Sequence, residues 1–444
     1  MTDVSPQRRS DIIDALRAGA VPRRGLEALA VGLSHFERSI AEELEAVRAG
    51  GSKFKAVRGE YGGGKTFFAR WVQERAKHLG FATSEVQISE TETPLHRLET
   101  VYRRLTERLA TATHQPSALR AVVDSWLYTL EEEVLDGDRI DAEDDAAVSA
   151  AVQELLEQRL AVVARTTPAF AAALRGYHAA TLRGDAATAE ALIAWLGGEP
   201  SVAASARRAA GVRGDLDHFA ALGFLRGLLT VLRDCGHPGL LLVLDEIETL
   251  QRVRSDVREK GLNALRQLLD EIDSGRFPGL FLLITGTPAF FDGQQGVQRL
   301  APLAQRLATD FGTDPRFDSP RAVQLRLHGF DHARLTELGR SVRDLYAVGA
   351  TAPERIVARV DDGYLAELAA AVSGRLGGQV GIAPRLFLRK LVADVLDRVD
   401  LHADFDPRVH YALTVSTTEL TDVERSASLT STAGRADDIE LELP

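Results

Sequence analysis

The stretch that decides the fold is "VRGEYGGGKTFF", residues 57–68, in which three consecutive glycines run into a lysine and a threonine. Gly59, Gly64, Lys65 and Thr66 fit G-x-x-x-x-G-K-[ST] without a mismatch, and Gly62 and Gly63 loosen the loop further. Such a loop curls its backbone N–H groups around phosphate oxygens, in conformations that residues with a Cβ tolerate poorly. The segment that follows, "TFFARWVQERAKHL", reads as a helix whose positive N-terminal end faces the same anion. The predicted phosphate cradle is therefore Gly59, Glu60, Tyr61, Gly62, Gly63, Gly64, Lys65, Thr66 and Phe67. Lys65 is expected to reach the β/γ-phosphates, and the Thr66 hydroxyl to face Mg²⁺. Lysine is scarce in this arginine-rich chain, so a lysine at the one required position is informative.

The chain around this loop has 444 residues, 45% hydrophobic and 26% charged, a globular composition with length for two or three domains. A net charge of −11 argues against a generally basic nucleic-acid binder and leaves room for a local basic face. The single cysteine, Cys235, excludes an internal disulfide framework and fits a reducing cytosol. The start, "MTDVSPQRRSDIIDALRAGAVP", lacks the apolar core of a signal peptide. No run of 18 apolar residues occurs, so the expectation is a cytoplasmic protein without a membrane span.

Outward from the loop, strands alternate with helices. "FKAVRG" precedes the loop as a strand, and "FATSEVQIS", "GLLLVLDE", "GLFLLITG" and "RAVQLRLHGF" read as four more. The continuous apolar run before Asp245 is typical of a central parallel strand. Residues 1–50 read as a helical segment, in which Phe36, Ile40 and Leu44 recur at helical spacing. Residues 51–330 read as the core, interrupted at about 112–215 by an Ala-rich helical insertion carrying the acidic stretch 131–145. Residues 331–413 read as a helical lid, and 414–444 as a disordered acidic tail. The expected class is α/β, a P-loop NTPase with a parallel core sheet, a large helical insertion and a C-terminal helical lid.

Three more features carry chemistry. "LLLVLDEIETL" (240–250) places Asp245 and Glu246 at a strand's C-terminal end, Asp245 to hold Mg²⁺ and Glu246 to orient and deprotonate the attacking water. Glu248 is a competing acid further into the turn. "LLITGTPAFF" (282–291) offers Thr285, and after it Thr287, as a strand-tip hydroxyl that touches the γ-phosphate. Arg306 is the first choice for an arginine supplied to a neighbouring subunit's site, with Arg316 and Arg321 as rivals. Arg385, after Pro384 at the start of a lid helix, is placed to reach back to the γ-phosphate. Among the eleven histidines only His328 and His332 share an H-x-x-x-H spacing, without the acid or cysteine that a zinc site needs.

With glycine loop, "VLDE", strand-end threonine and lid arginine in that order, the chain resembles the AAA+ ATPases of the origin-recognition and replication-initiator branch. Within it, the likeness is closest to the BREX phage-defence ATP-binding proteins called BrxD. The residues that carry it include "RRGLEALAVGL" (23–33), "RGEYGGGKTFF" (58–68), "TPLHRLETVYRRL" (93–105), "GLLLVLDEIETL" (239–250), "TGTPAFF" (285–291), "PLAQRL" (302–307) and "APRLFLRKLV" (383–392). What the resemblance implies is an ATP- and Mg²⁺-dependent partner of a DNA helicase, with DNA as an associate, while an arginine supplied to a neighbour's site implies a homo-oligomer. Two classes of function stay open: an ATPase that loads or activates a helicase, and a nucleotide-bound scaffold or signalling switch that recruits partners without turnover. Glu246 is the residue that separates them, because a switch can dispense with that carboxylate.

Overall fold

A computed structural model describes residues 4–137, 145–376, 381, 384–421 and 424–425. The chain opens with α1 (Pro6–Arg17) and α2 (Ser34–Arg48), then β1 (Lys53–Arg58), α3 (Lys65–His78), β2 (Ala82–Gln87) and α4 (Leu98–Arg108). Helices α5 (Leu119–Asp136), α6 (Asp145–Thr166), α7 (Pro168–Leu182), α8 (Ala186–Leu196) and α9 (Ala204–Ala209) follow with no strand among the described residues, and α10 (His218–Asp234) leads back to β3 (Leu240–Asp245). Next come α11 (Ser255–Asp273), β4 (Leu280–Gly286), α12 (Pro288–Asp292), α13 (Ala301–Arg306) and β5 (Gln324–Arg326). The C-terminal bundle holds α14 (His332–Ala347), α15 (Pro353–Arg359), α16 (Asp362–Arg375) and α17 (Pro384–Arg389). Helix α17 runs on through a π-helical turn (Lys390–Leu396) into α18 (Asp397–Leu401), and the short α19 (Pro407–His410) follows.

All five strands form one sheet in the order β2-β3-β4-β1-β5, and every pairing is parallel. Each residue of β3 and β4 is buried, as their unbroken apolar runs require of strands covered on both faces. Alternation sorts their side chains. Leu240, Leu242, Leu244, Leu280, Leu282 and Ile284 join one core, and Leu241, Val243, Phe281 and Leu283 join another. Phe36, Ile40 and Leu44 of α2 and Phe68, Trp71 and Val72 of α3 cover the second face. The first face is continuous with the helical insertion through Trp126, Leu156, Phe170, Trp195 and Phe224, so the insertion shares the sheet's core.

Register fixes what the sheet offers to a ligand. Val57 lies opposite Thr285 and Gln87 opposite Asp245, while Leu244 pairs with Ile284. The carboxyl ends of β1, β4 and β3 therefore finish level, where open parallel sheets place their ligand crevice.

Two expectations need revision. The first fifty residues divide between cores: Ile12, Ile13 and Leu16 of α1 pack in the C-terminal bundle, whereas α2 packs on the sheet. The glycine- and proline-containing stretch between the two helices lets them part. The segment from 414, expected to be disordered on its acidic composition, is ordered at its start. Ser416 caps a turn (Thr417–Glu419), Leu420 is buried in the bundle core, and Glu419 and Glu424 meet Lys390 and Arg385. Its carboxylates are counter-ions here. Residues 426–444 of that tail lie outside the described residues, as do residues 138–144 of the acidic stretch.

Candidate nucleotide-binding site

The loop from Gly59 to Gly64 leaves the end of β1 and enters α3 at Lys65. Gly62 and Gly64 take φ of 74° and 85°, the left-handed region in which a Cβ is penalised. Lys65 folds back under the loop, and its ammonium donates to the carbonyl oxygens of Gly59 at 3.0 Å and Glu60 at 3.2 Å. Its Nζ also lies 5.0 Å from the centre of the Tyr61 ring and 3.6 Å from Glu248 Oε1.

Asp245 joins the loop to the sheet. The Thr66 hydroxyl donates to one of its oxygens at 2.9 Å, and the Thr285 hydroxyl donates to the other. The Glu246 N–H is shared between Asp245 Oδ1 at 3.1 Å and Thr285 Oγ1 at 3.2 Å. Burial pushes the Asp245 carboxyl above the ordinary carboxylate range, against the pull of the two threonine hydroxyls. Thr287 lies two residues past Thr285, buried at the start of α12.

Glu246 has φ 59° and ψ 41°. A left-handed residue other than glycine costs about 1–3 kcal/mol, and of the three among the described residues only Glu246 borders the cavity. The bend drops the chain from β3 into a 3₁₀ turn (Ile247–Gln251) and sends the two glutamates apart. The Glu246 carboxylate accepts from Gln87 Nε2 at 2.9 Å and stays half-exposed. Glu248 points inward; the residue is 3% exposed, and neither carboxylate oxygen has a hydrogen-bond partner. Burial raises its carboxyl too, with the Lys65 charge opposing. Sequence reading ranked Glu248 as the more remote acid, but the left-handed bend at Glu246 and the tight turn after it bring it back to 3.6 Å from Lys65. Gln87 was legible only as a polar residue ending the strand beside β3.

These groups open on a cavity of about 300 Å³ lined mainly by apolar surface. The glycine loop, Asp245, Glu246 and Glu248 form one side. Val21, Val31, Gly32 and His35 come from the N-terminal segment, and His328, Phe330, Arg334, Leu338 and Arg385 from the start of the bundle and from α17. Burial lowers the pKa of both His35 and His328. His328 thus faces the cavity, whereas His332 is exposed at the start of α14. Among the described residues no group of three or more His, Cys, Asp or Glu is placed to hold a metal ion. Thr66 and Asp245 are hard oxygen donors, the kind that bind Mg²⁺ together with phosphate, and the carboxylate they share is buried beside the loop.

The other sequence-predicted arginines are engaged elsewhere. Arg306, at the end of α13, pairs with Asp270 and Asp273 of α11 in its own chain. Arg316 pairs with Asp314, and Arg321 with Glu42 of α2. None of the three borders the cavity. Arg385 does border it, yet its guanidinium is held edge-on by the Glu424 carboxylate and also donates to the Glu419 carbonyl. Among the described residues no helix is long and apolar enough to cross a membrane.

A parallel α/β sheet whose glycine loop, buried lysine and strand-end aspartate meet at one cavity has the architecture of a P-loop nucleotide-binding protein. The chain belongs to the BREX system ATP-binding protein BrxC/D family, whose sequence profile it matches over residues 4–415. The match takes in every strand of the sheet and ends just before the turn capped by Ser416. No curated protein matches the chain.

Proposed function

We propose that this chain is an AAA+-like ATPase of BREX phage defence that acts with a DNA helicase, as its loader or activator. The observation that carries the enzymatic part is the Asp245 carboxylate, held by Thr66 of the glycine loop and Thr285 of the neighbouring strand. In this reading the loop N–H groups and Lys65 hold the β/γ-phosphates, and Lys65 exchanges its carbonyl partners for phosphate oxygens. Thr66 and Asp245 would hold Mg²⁺, which neutralises charge developing on the phosphoryl oxygens. Glu246 accepts the proton of the attacking water, and Thr285 ties the tip of β4 to that end of the site. Arg385 reaches the γ-phosphate once its guanidinium leaves Glu424, and Arg306 serves the site of a neighbouring copy in a homo-oligomer.

DNA and the helicase come from the likeness to the BREX family, and the cytoplasmic setting from the single cysteine and the sequence's lack of a long apolar run. One observation favours the second reading, a nucleotide-dependent switch: Gln87 holds the Glu246 carboxylate and so competes with its use as a base. ATP turnover measured alone, with DNA, and with DNA plus a BREX helicase separates the two. Turnover that rises with DNA and helicase supports the loader. Stable ATP binding without turnover under all three conditions supports the switch.

A further inference from the structure

The C-terminal bundle sends two guanidinium groups to the cavity, and they differ in what they already hold. Arg385 is neutralised by Glu424. Arg334, in the first turn of α14, donates its backbone N–H to the cap residue Asp331 at 2.7 Å. Its side chain has no hydrogen bond or ion pair with any described residue. Instead the guanidinium lies against the bare backbone of Gly32: a Cβ built there would meet its Nε at 3.6 Å and its Cζ at 3.7 Å. Gly32 has φ +74°, so its conformation as well as this close packing suits glycine.

The surroundings do not supply the missing anion. The ring neighbours of Arg334 are His35 and His328, whose protonation is disfavoured first by burial, and the carboxylate beside His328, Asp318 at 3.9 Å, is already held by Arg326 at 2.7 Å. Val31, Leu33, Phe330 and Leu338 complete this end of the cavity. A half-buried cation with no partner among apolar groups is costly, and a ligand that brings acceptors or a π face relieves that cost. The phosphates are assigned to the loop, which leaves the base and ribose for the bundle's share of the lining.

We infer that Arg334 is a further nucleotide-binding residue, laid against the base and ribose of an adenine nucleotide and tying α14 and the Gly32 segment to it. The inference rests on the proposal that the Lys65 loop holds the phosphates. It assigns the two arginines of the bundle different parts of the ligand: Arg334 is blind to the number of phosphates, and Arg385 senses the third.

Calorimetric titration of ATP and ADP into the full chain tests this, with Arg334→Ala, Arg334→Lys, Arg385→Ala and Lys65→Ala compared with the wild type. Arg334→Ala should weaken ATP and ADP by the same factor, about tenfold for a desolvated cation–π contact. Arg334→Lys should recover little, because an ammonium lacks the planar face. The ligand-free melting temperature should hold or rise, since an unpartnered cation is removed, while the ATP-induced rise shrinks. Arg385→Ala should weaken ATP alone. Unchanged affinities in Arg334→Ala overturn the inference. So does a loss confined to ATP, which would move Arg334 to the γ-phosphate. If Arg334→Ala does not fold, Arg334→Gln keeps the stem and carries the same comparison. Equal ATP binding by Lys65→Ala and wild type would instead bring down the loop assignment, so the two failures stay distinct.

Discussion

The two sides of the nucleotide cavity are built differently. On the sheet side the polar groups are interlocked with one another: Lys65 on the Gly59 and Glu60 carbonyls, Asp245 on Thr66 and Thr285, Glu246 on Gln87. On the bundle side the surface is apolar, one arginine is spent on Glu424 and the other is free. The difference follows from the scaffold. Strand ends in a parallel ladder have fixed register, so their side chains meet at fixed distances. The helical bundle has its own core, centred on Leu335, Val342, Leu365 and Phe387, and meets the cavity only along its margin. In the proposed reading the phosphate side is preorganised, and the base side is completed by the ligand.

That contrast can be broken at several points. Lys65→Ala removes the one ammonium on the sheet side, and ATP binding should become undetectable by calorimetry, a loss of roughly two orders of magnitude or more. Retained affinity would mean that the backbone loop alone holds the phosphates. Arg306→Ala lies outside both sides of the cavity within one chain. It should leave ATP affinity intact and cut turnover by about 10³ if it completes a neighbour's site. A residue that serves only its half-exposed ion pairs with Asp270 and Asp273 would change stability slightly and leave turnover alone.

The smallest effect is expected at Glu248. Its carboxyl is raised by burial, so its contribution favours the folded state most when protonated and declines as pH rises through the raised value. Glu248→Gln should therefore melt a few degrees higher than wild type at pH 8, with the difference gone near pH 4. A lower melting temperature at pH 8 would show that the Lys65 pair outweighs the burial.

Much of the sheet side was legible in the sequence. The glycine spacing, the unbroken apolar runs of β3 and β4 and the polar residues that end them are local signals, and local signals set strand ends. Glu248 was legible only in part, because its place depends on the left-handed backbone at Glu246, which no composition or periodicity announces. The bundle side was hidden for another reason. His35 is far in sequence from His328 and Arg334 and meets them only through tertiary packing, and an arginine among many carries no signal of its own. The pairing of Arg385 with Glu424 was hidden likewise, since acidic composition alone does not reveal which carboxylates find a cation.

The central claim is that the preorganised side binds ATP and also cleaves it, with Glu246 as the base. A single-turnover assay tests it most directly: γ-labelled ATP is bound to wild type and to Glu246→Gln, with Mg²⁺ and any partner that stimulates turnover, and bound ATP and released phosphate are followed. The account predicts that wild type releases phosphate while Glu246→Gln binds ATP as tightly and keeps it intact, because an amide cannot accept the water's proton. Phosphate release at the same rate from both proteins would contradict it.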